Sequence, residues 1–123
     1  RDSVNYRIKK LRKEKVIKGF AVVCDTNKLG KPIFTWVNVQ LQQFDSEKEK
    51  KFEAFLKQVS HVVYLSKVTG NYHYMFAVAT KTIQDLDKTL KKILNKFPNL
   101  VKTYNTSLVV EEIQYDSFYR LID

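Results

Sequence analysis

The clearest hydrophobic pattern in this chain lies in the segment IFTWVNVQLQ, where every second residue from Ile33 to Leu41 is aliphatic or β-branched. The alternation places Thr35, Val37, Val39 and Leu41 on one face of a β-strand, because successive strand side chains point to opposite sides. Phe34 and Trp36 point the other way, so this strand is predicted to carry apolar side chains on both faces.

Two later segments repeat apolar residues at the helical period. In SEKEKKFEAFLKQVS one helical face is formed by Phe52, Phe55, Leu56 and Val59, and Ser46 is a candidate N-cap. In TIQDLDKTLKKILNKF the repeated positions are Ile83, Leu86, Leu90, Ile93, Leu94 and Phe97, and Pro98 stops the helix.

The remaining apolar runs predict strands. HVVYLSKVTG and NYHYMFAVAT meet at Gly70-Asn71, a pair that predicts a two-residue hairpin turn because both residues tolerate positive φ. LVKTYNTSLVVEEI is predicted to be the last strand.

The element order after Pro32 is therefore β-α-β-β-α-β, which predicts an α+β fold of the ferredoxin-like sandwich type. In that plan two helices cover one face of a four-stranded antiparallel sheet. The strands nevertheless carry bulky groups on both faces, namely Phe34, Trp36, Tyr64, Tyr74 and Phe76. We therefore expect the uncovered face to be buried against a second copy, sheet to sheet.

The start of the chain has a different character. Val4, Ile8 and Leu11 form one helical stripe, Phe20 to Cys24 reads as a short apolar strand, and the turn-rich residues 25–32 mark a domain boundary. Residues 1–18 hold eight Lys or Arg against two acids, a net of +6 out of +9 for the chain. Such a face is either simply solvated or contacts nucleic acid.

Composition excludes several classes. A chain of 123 residues fits one domain, and no apolar run reaches the ~18 residues that a bilayer span needs. One cysteine cannot form an internal disulfide, which suits a cytoplasmic protein. With His61 and His73 the only histidines and no nucleophile, metal-ligand or phosphate-loop motif, we expect no enzyme activity, no metal and no cofactor.

Four segments together resemble the Lrp/AsnC (leucine-responsive/asparagine-operon regulator) family of transcriptional regulators. SVNYRIKKLRKEKVIKGF is similar to its recognition helix and wing, VCDTNKLGKPIFTWVNVQL to its linker and first strand, VTGNYHYMFAV to its hairpin and VKTYNTSLVVEEI to its final strand. Lys15 and His73 depart from the family pattern, which usually has Gly and Asp there.

The resemblance implies a domain plan: residues 1–24 as the remnant of a winged helix-turn-helix, 25–32 as linker, 33–115 as a RAM-type assembly and effector-binding domain, and 116–123 as tail. It also implies two further helices before residue 1. Double-stranded DNA would then be contacted by one set of residues, of which the helix N-terminus reads bases and the rest bind phosphates. These are Ser3, Asn5, Tyr6, Arg7, Lys9, Lys10, Arg12, Lys13 and Lys18.

The resemblance further implies a small-molecule effector site, usually for an amino acid, at a contact between dimers. The matching residues are Thr69, Gly70, Asn71, Tyr72, His73, Tyr104, Thr106 and Ser107. The pattern alone favours the simpler interpretation, in which Gly70 only permits the turn. His73 offers no negative charge to an ammonium group, so another group does that, the ligand differs, or there is none.

The function expected from these observations is a sequence-specific DNA-binding regulator that forms a homodimer or an octameric ring of dimers and responds to an effector. The alternative is a stand-alone metabolite-binding assembly domain that does not contact DNA. An enzyme on the same scaffold is the third hypothesis, since fold alone does not fix function.

Overall fold

The computed structural model describes Tyr6 and residues 30–113. Its elements are β1 (Ile33–Leu41), α1 (Ser46–Gln58), β2 (Val62–Lys67), β3 (Tyr74–Thr80), α2 (Ile83–Lys96) and β4 (Val101–Leu108). They form one antiparallel sheet in the order β2-β3-β1-β4. The βαββαβ ferredoxin-like prediction is confirmed. The predicted recognition helix, wing strand, most of the 25–32 linker and the tail lie outside the described residues, except that Tyr6 is helical and 70% exposed.

The core lies between the helices and one face of the sheet. Val37 of β1 pairs with Phe76 of β3, and Val39 pairs with Tyr74, so these four side chains share the helix-covered face. All four are at most 1% exposed. Phe52, Leu56, Leu86, Leu90 and Ile93 complete the core from the helices. The alternation predicted for β1 is confirmed by its burial.

The helix ends differ from the prediction in two places. Asp45, and not Ser46, caps α1: its carboxylate accepts from the N–H groups of Glu47 at 3.0 Å and Lys48 at 3.4 Å, while Ser46 is already helical. Ile83 is 52% exposed, because the first residue of α2 lies at the flank of the buried stripe. Thr82 caps α2 through the N–H of Asp85.

The connection between β2 and β3 is longer than the predicted two-residue turn. β2 ends at Lys67 and β3 begins at Tyr74, which leaves six residues between them. The hydrogen bond from the Val68 N–H to His73 O at 2.9 Å closes the connection around residues 69–72, and the His73 N–H donates to Val39 O of β1 at 2.8 Å. Within this connection Gly70 has φ +109°, a conformation that other residues rarely adopt. Likewise, β4 ends at Leu108, short of the predicted Ile113.

Tyr74 fastens α1 to the sheet. Its buried ring lies edge-on to Phe52, and its hydroxyl donates to the carboxylate of Glu53 and lies 3.4 Å from that of Glu49. Lys67 Nζ is 3.4 Å from Glu49, so β2, β3 and α1 meet at this phenol. Burial, reinforced by Glu53 and Glu49, raises the pKa of the Tyr74 hydroxyl well above its usual range.

Stability is therefore expected to fall in alkali. The unfolded chain releases the Tyr74 proton near pH 10, whereas the folded protein retains it. The Tyr74 contribution is thus fully present below about pH 10 and is lost above it, by about 1.4 kcal/mol per pH unit. The free energy of unfolding is measured by urea denaturation at several pH values between about pH 9 and pH 11. Tyr74→Phe should remove the part of its decrease with pH that comes from Tyr74. Tyr104→Phe, at a 44%-exposed tyrosine, should show the same decrease with pH as the wild-type chain. If both variants showed the same pH dependence of unfolding free energy, the decrease would not come from Tyr74.

Candidate functional site

The predicted effector residues of the β2–β3 connection lie at the surface. Thr69, Gly70 and Asn71 are exposed, and Tyr72 and His73 are half-buried. No carboxylate occurs among these five residues. The connection closes on itself through the N–H of Val68, which donates to His73 O at 2.9 Å. What it offers a ligand is backbone N–H groups, hydroxyls and an amide.

The predicted effector residues of β4 are divided between the two faces of the sheet. Tyr104 is paired with Val39 and Thr106 with Val37, so both are on the helix side. Ser107 is paired with Trp36 and is on the opposite side. One ligand on one side of a single protomer cannot therefore use Thr106 and Ser107 together.

His73 has a structural role that the sequence did not indicate. The pairing of β1 with β3 ends at Val39, and the N–H of Leu41 donates instead to His73 Nδ1 at 3.0 Å. The imidazole also packs edge-on against Phe44, with ring centroids 4.9 Å apart. Because Nδ1 accepts this bond, the neutral ring carries its proton on Nε2. The residue that departs from the family pattern thus secures the connection to the end of β1.

Removing this acceptor is expected to destabilise the protein. In His73→Leu the half-buried Leu41 N–H has no partner, which costs about 1–3 kcal/mol. In His73→Asn the amide Oδ1 occupies the place of Nδ1, since both atoms are bonded to Cγ, and most of the stability should remain. Urea denaturation of both variants at pH 7 measures the difference. Equal stabilities would show that the bond from Leu41 contributes nothing.

A hydrogen-bonded chain joins the connection to the centre of the sheet. Asn38 of β1 donates its amide to Asn105 Oδ1 of β4 at 3.1 Å, and Asn105 donates in turn to the Tyr72 hydroxyl at 3.1 Å. Neither asparagine belongs to the site predicted from the sequence. Their one signal is that asparagine is disfavoured inside strands, which suggests a specific polar role.

The sheet face away from the helices carries an aromatic row. We call this surface the open face; its residues are Phe34, Trp36, Asn38, Gln40, Tyr64, Ser66, Met75, Ala77, Ala79, Thr103, Asn105 and Ser107. Trp36 lies edge-on to Phe34 at 5.7 Å and to Tyr64 at 5.4 Å between ring centroids. Trp36 and Tyr64 are both paired with Ala77, whose small side chain leaves room for the two rings to meet. Tyr74 and Phe76 belong to the buried face instead.

The predictions on DNA contacts, metal sites and membrane spans apply to the whole chain, of which the structure describes Tyr6 and residues 30–113. Of the predicted DNA contacts, only Tyr6 is described. Among residues 30–113 no three His, Cys, Asp or Glu side chains are grouped as metal ligands. No helix in the described part of the chain is long and apolar enough to cross a bilayer.

Comparison with known proteins identifies similar sequences. A family model described as the Lrp/AsnC ligand binding domain matches residues 34–117. The DNA-binding transcriptional activator DecR of Escherichia coli K12 is 24% identical over 109 residues, covering 89% of this chain and 71% of the relative. The regulatory protein AsnC of Haemophilus influenzae is 34% identical over 90 residues, covering 72% of this chain and 57% of the relative.

Solved structures share the fold. A transcriptional regulator of Neisseria meningitidis, crystallised as a complex with L-Met, superposes with a TM-score of 0.77 at 16% identity, covering 97% of this chain and 78% of that one. At this identity the likeness concerns the fold alone. It extends over both the sheet and the two helices.

Proposed function

Because this chain belongs to the Lrp/AsnC family, we propose that it is the DNA-binding subunit of a cytoplasmic transcriptional regulator that assembles through its open face and senses a small molecule. The observation that carries the proposal is the combination of an aromatic open face with a hydrogen-bonded chain from that face to the β2–β3 connection. No catalytic role is part of the proposal, and the named relatives are regulators.

Assembly follows from the energetics of the open face. Trp36 and Phe34 are only half-buried and Tyr64 is 48% exposed, although the three rings pack together. Aromatic rings clustered in the middle of a surface are typical of the well-packed centre of a protein interface. A second copy placed sheet to sheet would bury them, and a homodimer, alone or within a larger ring, is the proposed state.

Effector binding is proposed at the β2–β3 connection. Backbone N–H groups of a turn such as Thr69–Asn71 can bind a ligand carboxylate, and the hydroxyls of Thr69 and Tyr72 add further polar contacts. An amino acid is the proposed ligand, in keeping with the L-Met complex of the Neisseria relative. Since the connection has no carboxylate, the ammonium group must be held by another residue, for which a neighbouring subunit is the source we propose.

The response would pass through Tyr72. A ligand that displaces the Tyr72 hydroxyl from Asn105 changes the hydrogen bonding of Asn38, in the middle of the open face. The effector would then alter how two sheets pack, and with it the spacing of two basic N-terminal segments on DNA. Paired weak sites gain affinity only when both can be engaged at once, so a small change in geometry is sufficient to regulate binding.

Fluorescence anisotropy on a DNA fragment from the gene's own promoter tests the proposal. Binding should weaken steeply with salt, because lysines and arginines release counterions from phosphates. Lys13→Ala, at a proposed phosphate contact, should lower the salt slope by about 1 for every sequence. Asn5→Ala, at a proposed base contact, should reduce the preference for the promoter by about 1–3 kcal/mol. Binding with neither salt dependence nor sequence preference would favour the stand-alone metabolite-binding domain.

A further inference from the structure

A groove in the helix layer is separate from both surfaces described above. It has a volume of about 570 Å³ and lies between α1 and the segment from the end of α2 to the start of β4. We call it the α1–α2 groove; the residues that matter are Phe55, Phe97 and Leu100 in its floor and Lys48, Lys51 and Lys96 around it. Its volume is within the range of about 300–1,000 Å³ typical of ligand sites.

The floor of the groove is the outer end of the aromatic core. Phe52, fully buried, lies edge-on to Phe97 at 5.3 Å, and Phe97 lies edge-on to Phe55 at 5.7 Å. Phe55 and Phe97 are only half-buried, so each presents part of a ring to the groove. Because these rings are held by the core, the groove is a preformed apolar surface that a ligand need not order.

Among residues 30–113, the charged side chains that line the groove are all positive. None of the ten residues that line it is acidic. Within residues 30–113 the salt bridges are Lys67–Glu49 and Lys91–Asp87, so the three groove lysines have no carboxylate within 4 Å there. Glu49 and Glu53 of α1 are directed instead to Tyr74. Lys96 Nζ lies 5.9 Å from the centroid of the Phe55 ring, directly beside the apolar floor.

We propose that the α1–α2 groove binds a small amphipathic carboxylate, with an aromatic or branched apolar body on Phe55 and Phe97 and its anionic group between Lys51 and Lys96. The apolar floor supplies burial, and the lysines supply the charge that selects an acid over a neutral analogue. This is a second ligand site, independent of the proposed effector site at the β2–β3 connection.

The segment that lines one side of the groove is connected to β4 through the chain and to the end of β1 through a hydrogen bond. Phe97 to Leu100 leads directly into β4, and Leu100 O accepts from the N–H of Gln42 at 2.9 Å, next to the end of β1. A ligand that draws Lys96 and Phe97 towards α1 therefore acts on the strand that carries Asn105 and Tyr104.

Calorimetric titration of the full chain with indole-3-acetate, and in parallel with the uncharged indole-3-acetamide, tests the site. The carboxylate should bind more tightly than the amide. The double variant Lys51→Gln/Lys96→Gln should raise the dissociation constant for the carboxylate about three- to tenfold, since it removes two exposed charge contacts. Lys88→Gln, at an exposed α2 lysine outside the groove, should leave the constant unchanged.

Amide chemical shifts locate the ligand. On addition of indole-3-acetate to the ¹⁵N-labelled chain, the largest changes should occur at Ala54, Phe97 and Leu100, and Ala54→Trp, which fills the groove, should abolish them. Equal binding of acid and amide, or shifts centred on Trp36 or Tyr72, would overturn the proposal. So would tighter binding by a chain shortened after Ile113, because residues 114–123 would then be the natural occupant of the groove.

Discussion

Trp36→Glu is expected to leave the domain folded and to raise the dissociation constant of the proposed homodimer by at least about 30-fold. Aromatic residues at the centre of an interface contribute about 2 kcal/mol or more when truncated, and a buried carboxylate adds a desolvation penalty. In the monomer, by contrast, Trp36 is on the open face and is only half-buried, so its loss affects the core little. Analytical ultracentrifugation over a range of protein concentrations measures the change.

Ile83→Glu is the matched control for this experiment. Ile83 is 52% exposed at the first residue of α2, on the helix side of the sheet, where a carboxylate suits the helix N-terminus. It should leave assembly unchanged. A wild-type chain that sediments as a monomer at all concentrations, or a Trp36→Glu variant that dimerises normally, would contradict assembly through the open face.

Phe52→Ala is expected to lower the free energy of unfolding by about 3–5 kcal/mol. Phe52 is fully buried and joins the two halves of the core, since its ring lies edge-on to Tyr74 of β3 and to Phe97 at the end of α2, each at 5.3 Å between centroids. The free energy of unfolding of a domain of this size is about 5–15 kcal/mol, so this one substitution removes a large part of it. Guanidinium denaturation followed by circular dichroism measures the effect.

Phe44→Ala provides the comparison, because Phe44 also makes an edge-on aromatic contact, with His73, but is 71% exposed. Its removal should cost less than about 1 kcal/mol. If the two alanine variants were equally stable, the buried aromatic contacts of Phe52 would not be the main support of the core.

Sequence periodicity was sufficient to predict the helices and strands of this domain because, as in β1 and α2, the spacing of apolar residues matches the spacing of buried positions. From Thr35 to Leu41 every second residue is aliphatic or β-branched, and those residues are the buried ones. In α2 the buried residues Leu86, Leu90 and Ile93 recur at the spacing of one helical face. Local chemistry was insufficient where two neighbours could do the same task. Asp45 and Ser46 are both good N-caps, and only the backbone geometry decides between them.

The site was less predictable because its contacts are distant in sequence. The Leu41 N–H and His73 are 32 positions apart, and Asn38 and Asn105 are 67 apart. The two-residue turn predicted at Gly70-Asn71 was wrong because the turn closes further out, at the hydrogen bond from the Val68 N–H to His73 O, which the local Gly-Asn pattern does not reveal. The division of Thr106 and Ser107 between faces follows from alternation in β4 and was predictable once that strand was assigned.

Ala77 has a consequence for how this sequence can change over generations. It has no exposed surface and lies between the strands of Trp36 and Tyr64, whose rings meet over it. A valine there would force the two rings apart, whereas a smaller residue at either aromatic position would make room for it. Substitutions at these three positions are therefore coupled: a larger residue at position 77 is tolerated only together with a smaller one at position 36 or 64.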